Sequence, residues 1–331
     1  RYFQPYVTMG LDEETAKVYG MVENIDENIG KLLKRLHDLN LSEDTVVIFM
    51  TDNGPQQPRY TAGLRGQKGS VYEGGIRVPF FIRWPGTFQA GRTIDRLAAH
   101  IDILPTLLDI CGIPVPDSNP IDGTSLLSLM TNRYGSFPER TLYFQWHRGD
   151  VPELYRNCAA VSDRYKLVNG NELYDLLDDP REQLNIAKGN DSIVSQMRSG
   201  YEDWLLDVTQ THGNVPPRIF LGTPYENPAM LTRQDWRGPR AGWREDSLGH
   251  WEVKIVEGGA YRIQCLFRAR EETAQVSLRL SDVMLSRSAA AGETSCLFDS
   301  VPLQAGDTRL ETWLSVAGAT VGMDYVEVTK L

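Results

Sequence analysis

Thr45-Val46-Val47-Ile48-Phe49-Met50-Thr51-Asp52-Asn53-Gly54 is the stretch on which the fold turns. Residues 46–50 are apolar without alternation, the pattern of a strand covered on both faces, as a central parallel strand is. Upstream, Asp12 is placed to cap a helix, Glu13 and Glu14 fill its first turn, where the helix dipole favours anions, and Asn40 closes it. Val18, Val22, Ile25, Ile29, Leu32, Leu36 and Leu39 recur at alternating steps of four and three, which predicts a buried helical stripe. The opposite face carries Glu23, Glu27, Lys31, Lys34 and Arg35. Helix, short loop, buried strand and polar loop together specify an α/β arrangement.

Downstream, Val78 to Trp84 reads as a second strand stopped by Pro85-Gly86. His100 to Cys111 reads as a helix with Gly112 as its stop, and Asp122-Gly123-Thr124-Ser125 caps a short one. From about residue 131 the texture changes to short antiparallel strands at 141–146, 159–161 and 165–168, followed by an amphipathic helix over 193–208. Residues 209–250, rich in Gly, Pro, Arg and Trp, read as a wrapped linker. Beyond it, alternating segments at 251–256, 261–267, 276–280, 294–298, 308–316 and 322–329 predict a β-sandwich. The expected division is an α/β core over 1–130, a small antiparallel α+β subdomain over 131–213, and a linker with a C-terminal β-sandwich over 214–331.

A length of 331 residues suits two or three domains, and 41% hydrophobic with 24% charged residues gives each enough material for a core. The net charge of −10 argues against nucleic acid or an anionic membrane as main partner, because phosphate binding needs a basic face. No segment approaches the roughly 20 apolar residues that span a bilayer. The first residue is Arg1 and no signal-like segment follows, so the chain is expected to begin inside a larger sequence or after processing. Cys111, Cys158, Cys265 and Cys296 form no Cys-x-x-Cys pair, which excludes a zinc knuckle. Cys265 and Cys296 each precede Leu-Phe in strand-like segments and can face one another.

Ligands collect at the carboxyl ends of strands in open α/β sheets, which draws attention to Asp52 and Asn53. Their oxygens are hard ligands suited to Ca²⁺ or Mg²⁺, although Asp-Asn-Gly is also an ordinary turn sequence. The next stretch, Gly63-Leu64-Arg65-Gly66-Gln67-Lys68-Gly69-Ser70-Val71-Tyr72-Glu73-Gly74-Gly75, has five glycines in thirteen residues. Such a backbone approaches a ligand closely, and Lys68 within it is a point charge for a tetrahedral oxyanion, with Arg65 and Arg77 nearby.

These stretches, with Ile76-Arg77-Val78-Pro79, Trp84-Pro85-Gly86, His100-Ile101-Asp102-Ile103-Leu104-Pro105-Thr106 and Asp122-Gly123-Thr124-Ser125, resemble in order the later half of a formylglycine-dependent sulfatase. Glu172-Leu173-Tyr174-Asp175-Leu176, Asp179-Pro180 and Asn185-Ile186-Ala187 extend the resemblance over residues 15–210. It implies an alkaline-phosphatase-like α/β sandwich followed by a small antiparallel subdomain, a sulfated small molecule or carbohydrate as substrate, and a periplasmic or secreted setting. It implies that Asp52 and Asn53 ligate one Ca²⁺, that Lys68 contacts the sulfate, and that Glu73, Gly74, Gly75 and His100 are architectural.

The formylglycine of such enzymes arises in a C-x-P-x-R motif, and this sequence has none; in Cys111-Gly112-Ile113-Pro114-Val115 the proline is one place late and no arginine follows. The chain is therefore expected to be the carboxyl-terminal portion of a sulfatase, with the nucleophile upstream. Alone, it is expected to bind calcium poorly, since Ca²⁺ takes about six to eight oxygens. A two-zinc phosphatase would place a histidine where Asn53 stands, while a phosphonate hydrolase with formylglycine and one metal stays open. Residues 251–331 resemble more loosely the jelly-roll modules of carbohydrate-active enzymes, which leaves a non-catalytic carbohydrate-binding fragment as a further alternative. Trp146, His147 and Arg148, at a strand end, are candidates to line the substrate pocket, with Arg65 beside Lys68.

Overall fold

The computed structural model describes residues 1–115, 120–131, 137–147, 149–210, 213–280 and 282–331. The chain divides into two compact units, one of Arg1–His147 with Pro152–Thr211, the other of Arg148–Val151 with His212–Leu331.

The first unit opens with α1 (Gln4–Thr8) and α2 (Glu13–Asp38). Asp12 caps α2 as its sequence predicts, accepting from the Thr15 amide at 3.0 Å, and Asn40 beyond its end adopts a left-handed φ of 56°. Tyr6 of α1 meets Tyr19 of α2 edge to face at 5.6 Å. The apolar stripe is helical but not buried. Ala16 and Gly20 are the buried residues of α2, and Leu32 is 55% exposed.

β1 (Val47–Met50) corrects the parallel-strand expectation. After α3 (Glu73–Ile76), β2 (Phe80–Arg83) pairs with β1 antiparallel, Val47 opposite Arg83 and Met50 opposite Phe80. The two form a sheet of their own, and Phe81 is 65% exposed. The expectation fails because an all-apolar run reports a need for cover on both faces, not the direction of its neighbour, and among the described residues that cover is missing.

A 3₁₀ turn over His100–Asp102 leads into α4 (Ile103–Ile110), and Ser125 stands before α5 (Leu127–Thr131), accepting from the Leu127 amide. Asp102, fully buried, ties these pieces together. Its carboxylate accepts from the Ala99 and Thr124 amides, each at 2.8 Å, and from both Arg140 terminal nitrogens. Burial works against its charge, but Arg140 and the two amides outweigh that and hold the carboxyl below its ordinary range.

β3 (Leu142–Gln145), β4 (Cys158–Val161), β5 (Tyr165–Val168) and β6 (Glu172–Asp175) form an antiparallel meander, and α6 (Asp191–Gln210) packs on it. Val194, Met197 and Tyr201 of α6 share a core with Cys158, Ala160, Leu167 and Leu173. Glu172–Asp175 is a full strand, where the sequence gives only motif residues.

In the second unit, part of the expected linker is sheet: β7 (Ile219–Leu221) and β8 (Ala229–Thr232) both join the sandwich. With β9 (His250–Ile255), β10 (Gly259–Leu266), β11 (Ala274–Leu280), β12 (Val283–Ala289), β13 (Ser295–Leu303), β14 (Gly306–Val316), β15 (Ala319–Gly322) and β16 (Tyr325–Lys330) they build two sheets. The orders are β13-β10-β16-β8 and β12-β11-β14-β9-β7, with β15 on β14. Alternate residues point inward, so Leu310, Thr312 and Leu314 of β14 are buried. Trp251, Tyr261, Phe298 and Leu278 fill the space between the sheets. Trp251 satisfies its indole N–H on the Thr232 carbonyl at 2.7 Å. Cys265 and Cys296 stand opposite each other on β10 and β13 as buried free thiols.

Candidate functional site

Asp52 and Asn53 follow β1 in a tight turn, with the Asn53 amide donating to Asp52 Oδ1 at 2.9 Å and Asn53 Nδ2 donating to the Gly54 carbonyl at 2.8 Å. His100 fastens the residue before them, its Nε2 lying 2.9 Å from the Thr51 carbonyl. That contact fits the architectural role the sequence assigns to this histidine.

The turn is locked to the glycine-rich loop through backbone alone. Gly54 N donates to the Gly75 carbonyl at 2.8 Å, and Lys68 N donates to the Pro55 carbonyl at 2.9 Å. A Cβ on Gly54 would sit 1.8 Å from the Gly74 carbonyl oxygen, and one on Gly75 would sit 2.1 Å from that of Ser70. No side chain fits either position. The glycines noted in the sequence are thus needed for close packing of the loop on the turn. Lys68 itself is exposed, and its ammonium has no ion pair among the described residues.

The loop is anchored on its far side by a buried polar network that sequence reasoning missed. Lys166 of β5 is fully buried, with Nζ 2.9 Å from Glu73 Oε1 and 2.8 Å from Glu182 Oε1. Glu182 also accepts from the Glu73 amide at 2.7 Å, closing the triangle at the start of α3. Burial pushes the Glu182 carboxyl up, against the pull of Lys166. Arg77 adds a second cation, its Nη1 3.6 Å from Glu73 Oε2, so the two carboxylates are matched, and removing a partner would leave a buried charge uncompensated. The sequence carried a signal, a lysine among apolar residues at an inward position of a strand, but alternation alone does not separate that from an outward lysine.

Arg65 is taken up by the same anchorage. Its guanidinium lies 3.8 Å from the Tyr72 ring centroid and donates to the Tyr174 hydroxyl at 2.8 Å and the Glu182 carbonyl at 3.2 Å. Glu172 accepts from the Tyr72 hydroxyl at 2.9 Å, and burial with this carboxylate pushes Tyr72 up to about 12. Arg65 therefore braces the loop through Nη1 and its ring contact.

Trp146 does meet the loop. Its indole passes close enough to Gly69 that a Cβ there would stand 3.4 Å from Cζ2, and Asn157 Nδ2 donates to the Gly69 carbonyl at 2.9 Å. His147 keeps a buried Nδ1 without a hydrogen-bond partner among the described residues. Arg148 lies outside the described residues.

As ligands, Asp52 and Asn53 fit Ca²⁺ by kind. The Asp52 carboxylate is exposed and accepts only its neighbour's amide, and Asn53 Oδ1 takes no hydrogen bond among the described residues. They do not fit by number, since no group of three His, Cys, Asp or Glu among the described residues could hold an ion. The arrangement offers two hard oxygens and one uncompensated cation on neighbouring, rigidly joined segments, a partial site for a divalent metal with an oxyanion.

Comparison with known proteins finds sulfatases. The Sulfatase family profile matches residues 2–113, and the profile "N-sulphoglucosamine sulphohydrolase, C-terminal" matches residues 66–206. Human arylsulfatase A is 36% identical over 241 residues, covering 62% of this chain and 46% of the relative. Human steryl-sulfatase is 36% identical over 253 residues, covering 63% of this chain and 43% of the relative. The chain thus spans about half the length of the curated relatives it matches. Among solved structures, "Ps i-CgsB in complex with k-i-k-neocarrahexaose" matches with a TM-score of 0.55 and 26% identity, over 61% of this chain and 46% of that one. The α/β, alkaline-phosphatase-like reading of the fold holds. Among the described residues, no helix is long and apolar enough to cross a membrane.

Proposed function

We propose, for a chain that belongs to the sulfatase family over residues 2–206, that it supplies part of the active site of a sulfate-ester hydrolase. In this reading Asp52 and Asn53 are two ligands of one Ca²⁺ and Lys68 contacts the sulfate. The remaining ligands and a formylglycine nucleophile come from polypeptide outside residues 1–331. The observation that carries the reading is the backbone lock of Gly54 on Gly75 and of Lys68 on Pro55, which ties the two oxygen donors to a lysine without an ion pair among the described residues. The exposed apolar stripe of α2 and the exposed face of β2 support further polypeptide as their cover.

As the ester S–O bond breaks, negative charge grows on the departing oxygen and on the sulfate. A cation fixed beforehand on a rigid loop offsets that charge without reorganising. Lys68 suits the task because its ammonium is uncompensated while its backbone is held by Pro55. Trp146, against Gly69, gives the loop an apolar wall on which a substrate's non-sulfated part can rest. A bound Ca²⁺ would supply Lewis acidity beside Asp52 and Asn53.

The finer substrate is proposed as a sulfated carbohydrate or another sulfated small molecule. Its support is the neocarrahexaose complex of the structural neighbour, together with the arylsulfatase and steryl-sulfatase relatives. The test is Lys68→Ala in the whole protein assayed on a sulfate ester. It is expected to lower kcat/KM by about a hundredfold, on the scale of one lost charge contact to the transition state. Unchanged kinetics would remove Lys68 from the site.

A further inference from the structure

The β-sandwich carries a small open cavity that the sulfatase reading does not use. It lies where the chain leaving β10, the segment entering β16 and the loop before β9 come together. Trp243, Glu245, Arg233, Arg268, Arg270 and Asp324 line it.

Arg233 is its floor, donating to the carbonyls of Met323 at 2.8 Å, Arg244 at 2.9 Å and Gly322 at 3.0 Å. The other groups are under-used. Arg270 gives Nη1 to Glu245, but its Nε is buried without an acceptor among the described residues. Arg268 is largely exposed, with its Nε 3.9 Å from Asp324 Oδ2. Asp324 Oδ1 stands 3.6 Å from Arg233 Nη2. Both separations exceed the roughly 2.7–2.9 Å of a charge-assisted hydrogen bond, so the carboxylate retains accepting capacity. Beside them the Trp243 indole is 68% exposed. Trp is the side chain with most to gain by burying a face, and here that face is left to solvent.

We propose that this cavity binds an anionic pyranose, its ring stacked on Trp243 and its charged substituent held by Arg268 and Arg270. Three guanidinium groups against two carboxylates leave a local positive charge on a chain whose net charge is −10. The planar, multi-donor guanidinium suits a sulfate ester or a uronic carboxylate alike. Glu245 and Asp324 decide between a sugar and a nucleotide, since they accept from ring hydroxyls and repel a polyphosphate. The cavity shares no residue with the Asp52–Lys68 region, and its occupancy is read without turnover, so it stands or falls independently of the hydrolase reading.

Isothermal titration of the whole chain tests it, with a carrageenan hexasaccharide, an oligogalacturonate of equal length, the desulfated hexasaccharide and ATP as probes. At least one anionic probe is expected to bind, with the neutral one about tenfold or more weaker. Binding of the sulfated probe alone assigns the charge to a sulfate ester, and binding of the uronate alone assigns it to a carboxylate. Trp243→Ala should abolish the heat and Arg268→Gln weaken it about tenfold, the loss of one charged contact worth ~1.4 kcal/mol. Both residues are exposed, and unchanged melting curves check that the variants fold. The proposal is overturned if no probe binds, if the neutral sugar binds equally, if ATP binds more tightly, or if Trp243→Ala binds as the parent does. Loss of binding in Lys68→Ala but not in Trp243→Ala would move the sugar to the other unit and also overturn it.

Discussion

The β-sandwich and the α2–β1–β2 region both carry apolar residues in regular patterns, and they treat them in opposite ways. In the sandwich, Trp251 and Tyr261 have no exposed surface, and each inward residue of β10 and β14 meets the facing sheet. In α2, none of the stripe residues is buried and Val22, Ile25, Leu32 and Leu39 are exposed, and Phe49, Met50, Phe80 and Phe81 of the small sheet are all exposed. Periodicity says which face of an element is apolar. Whether anything covers that face is decided by the rest of the fold, and the two regions give different answers to the same sequence signal.

The sharpest way to break the comparison is Trp251→Ala. Removing a fully buried indole from between two sheets leaves a cavity and frees the Thr232 carbonyl, so a loss of about 3–5 kcal/mol in denaturant unfolding is expected. A loss below about 1 kcal/mol would mean that the sandwich is no better packed than α2.

Lys166→Ala comes next, and it tests whether the first unit has an organised interior of its own. It would leave the buried Glu182 carboxylate without its cation and Glu73 with only the more distant Arg77, an effect of about 3–5 kcal/mol when one partner of a buried pair is removed. Adding Glu73→Gln and Glu182→Gln to Lys166→Met should recover most of the loss, because the unpaired charge then disappears. Failure to recover would assign the cost to packing.

Acid sharpens the contrast further. Asp102 has its folded pKa held below the ordinary value, so its contribution is present above the usual carboxylate range and is lost as pH falls through the folded value. Glu182 is raised, so its contribution runs the other way, falling as pH rises from the ordinary range to the folded value. Arg140→Gln should therefore weaken the protein at neutral pH, and the gap to the parent should narrow as pH falls below about 4. Each pKa unit of displacement in Asp102 corresponds to ~1.4 kcal/mol. Unfolding curves across that range check it, and a gap independent of pH would show that Arg140 acts through packing instead.

How legible all this was depended on what each signal encodes. Strands β9, β10, β11 and β14 could be read because one face of each is buried, and alternation records that directly. β12 could not, since Val283-Met284-Leu285-Ser286-Arg287-Ser288-Ala289 is an edge strand and buries only Ala289. β7 and β8 were hidden among Gly, Pro and Trp residues, where three or four extended positions leave too short a pattern. The Asp12 cap and the length of α2 were local and came through. The partner of β1 was non-local, and an apolar run carries nothing about strand direction. In the candidate site, Asp52, Asn53 and Lys68 were proposed through motifs, whereas the Lys166–Glu73–Glu182 triangle joins three distant parts of the chain and needed coordinates. Arg65 shows what the sequence could not carry: charge beside a glycine-rich loop suggested a ligand contact, and its bracing of the loop on Tyr72, Tyr174 and Glu182 needed coordinates.

The smallest effect is expected from Leu32→Ala, and it bears most directly on the contrast between the two regions. A buried leucine cut to alanine costs about 2–5 kcal/mol, from lost transfer energy and the cavity left behind. Leu32 is 55% exposed, so much of that transfer energy was never gained and no closed cavity can form. Alanine is also the better helix former, by a few tenths of a kcal/mol. The two terms oppose each other, and a change within about 0.5 kcal/mol of the parent is expected in the chain as it stands. The same substitution in a protein whose further polypeptide covers α2 should cost several times more, because Leu32 would then be inside. Measuring Leu32→Ala in both contexts by denaturant unfolding separates a helix that is exposed by design from one whose apolar stripe is an interior surface. Equal, small effects in both would remove the support that the exposed stripe gives to the proposed covering segment.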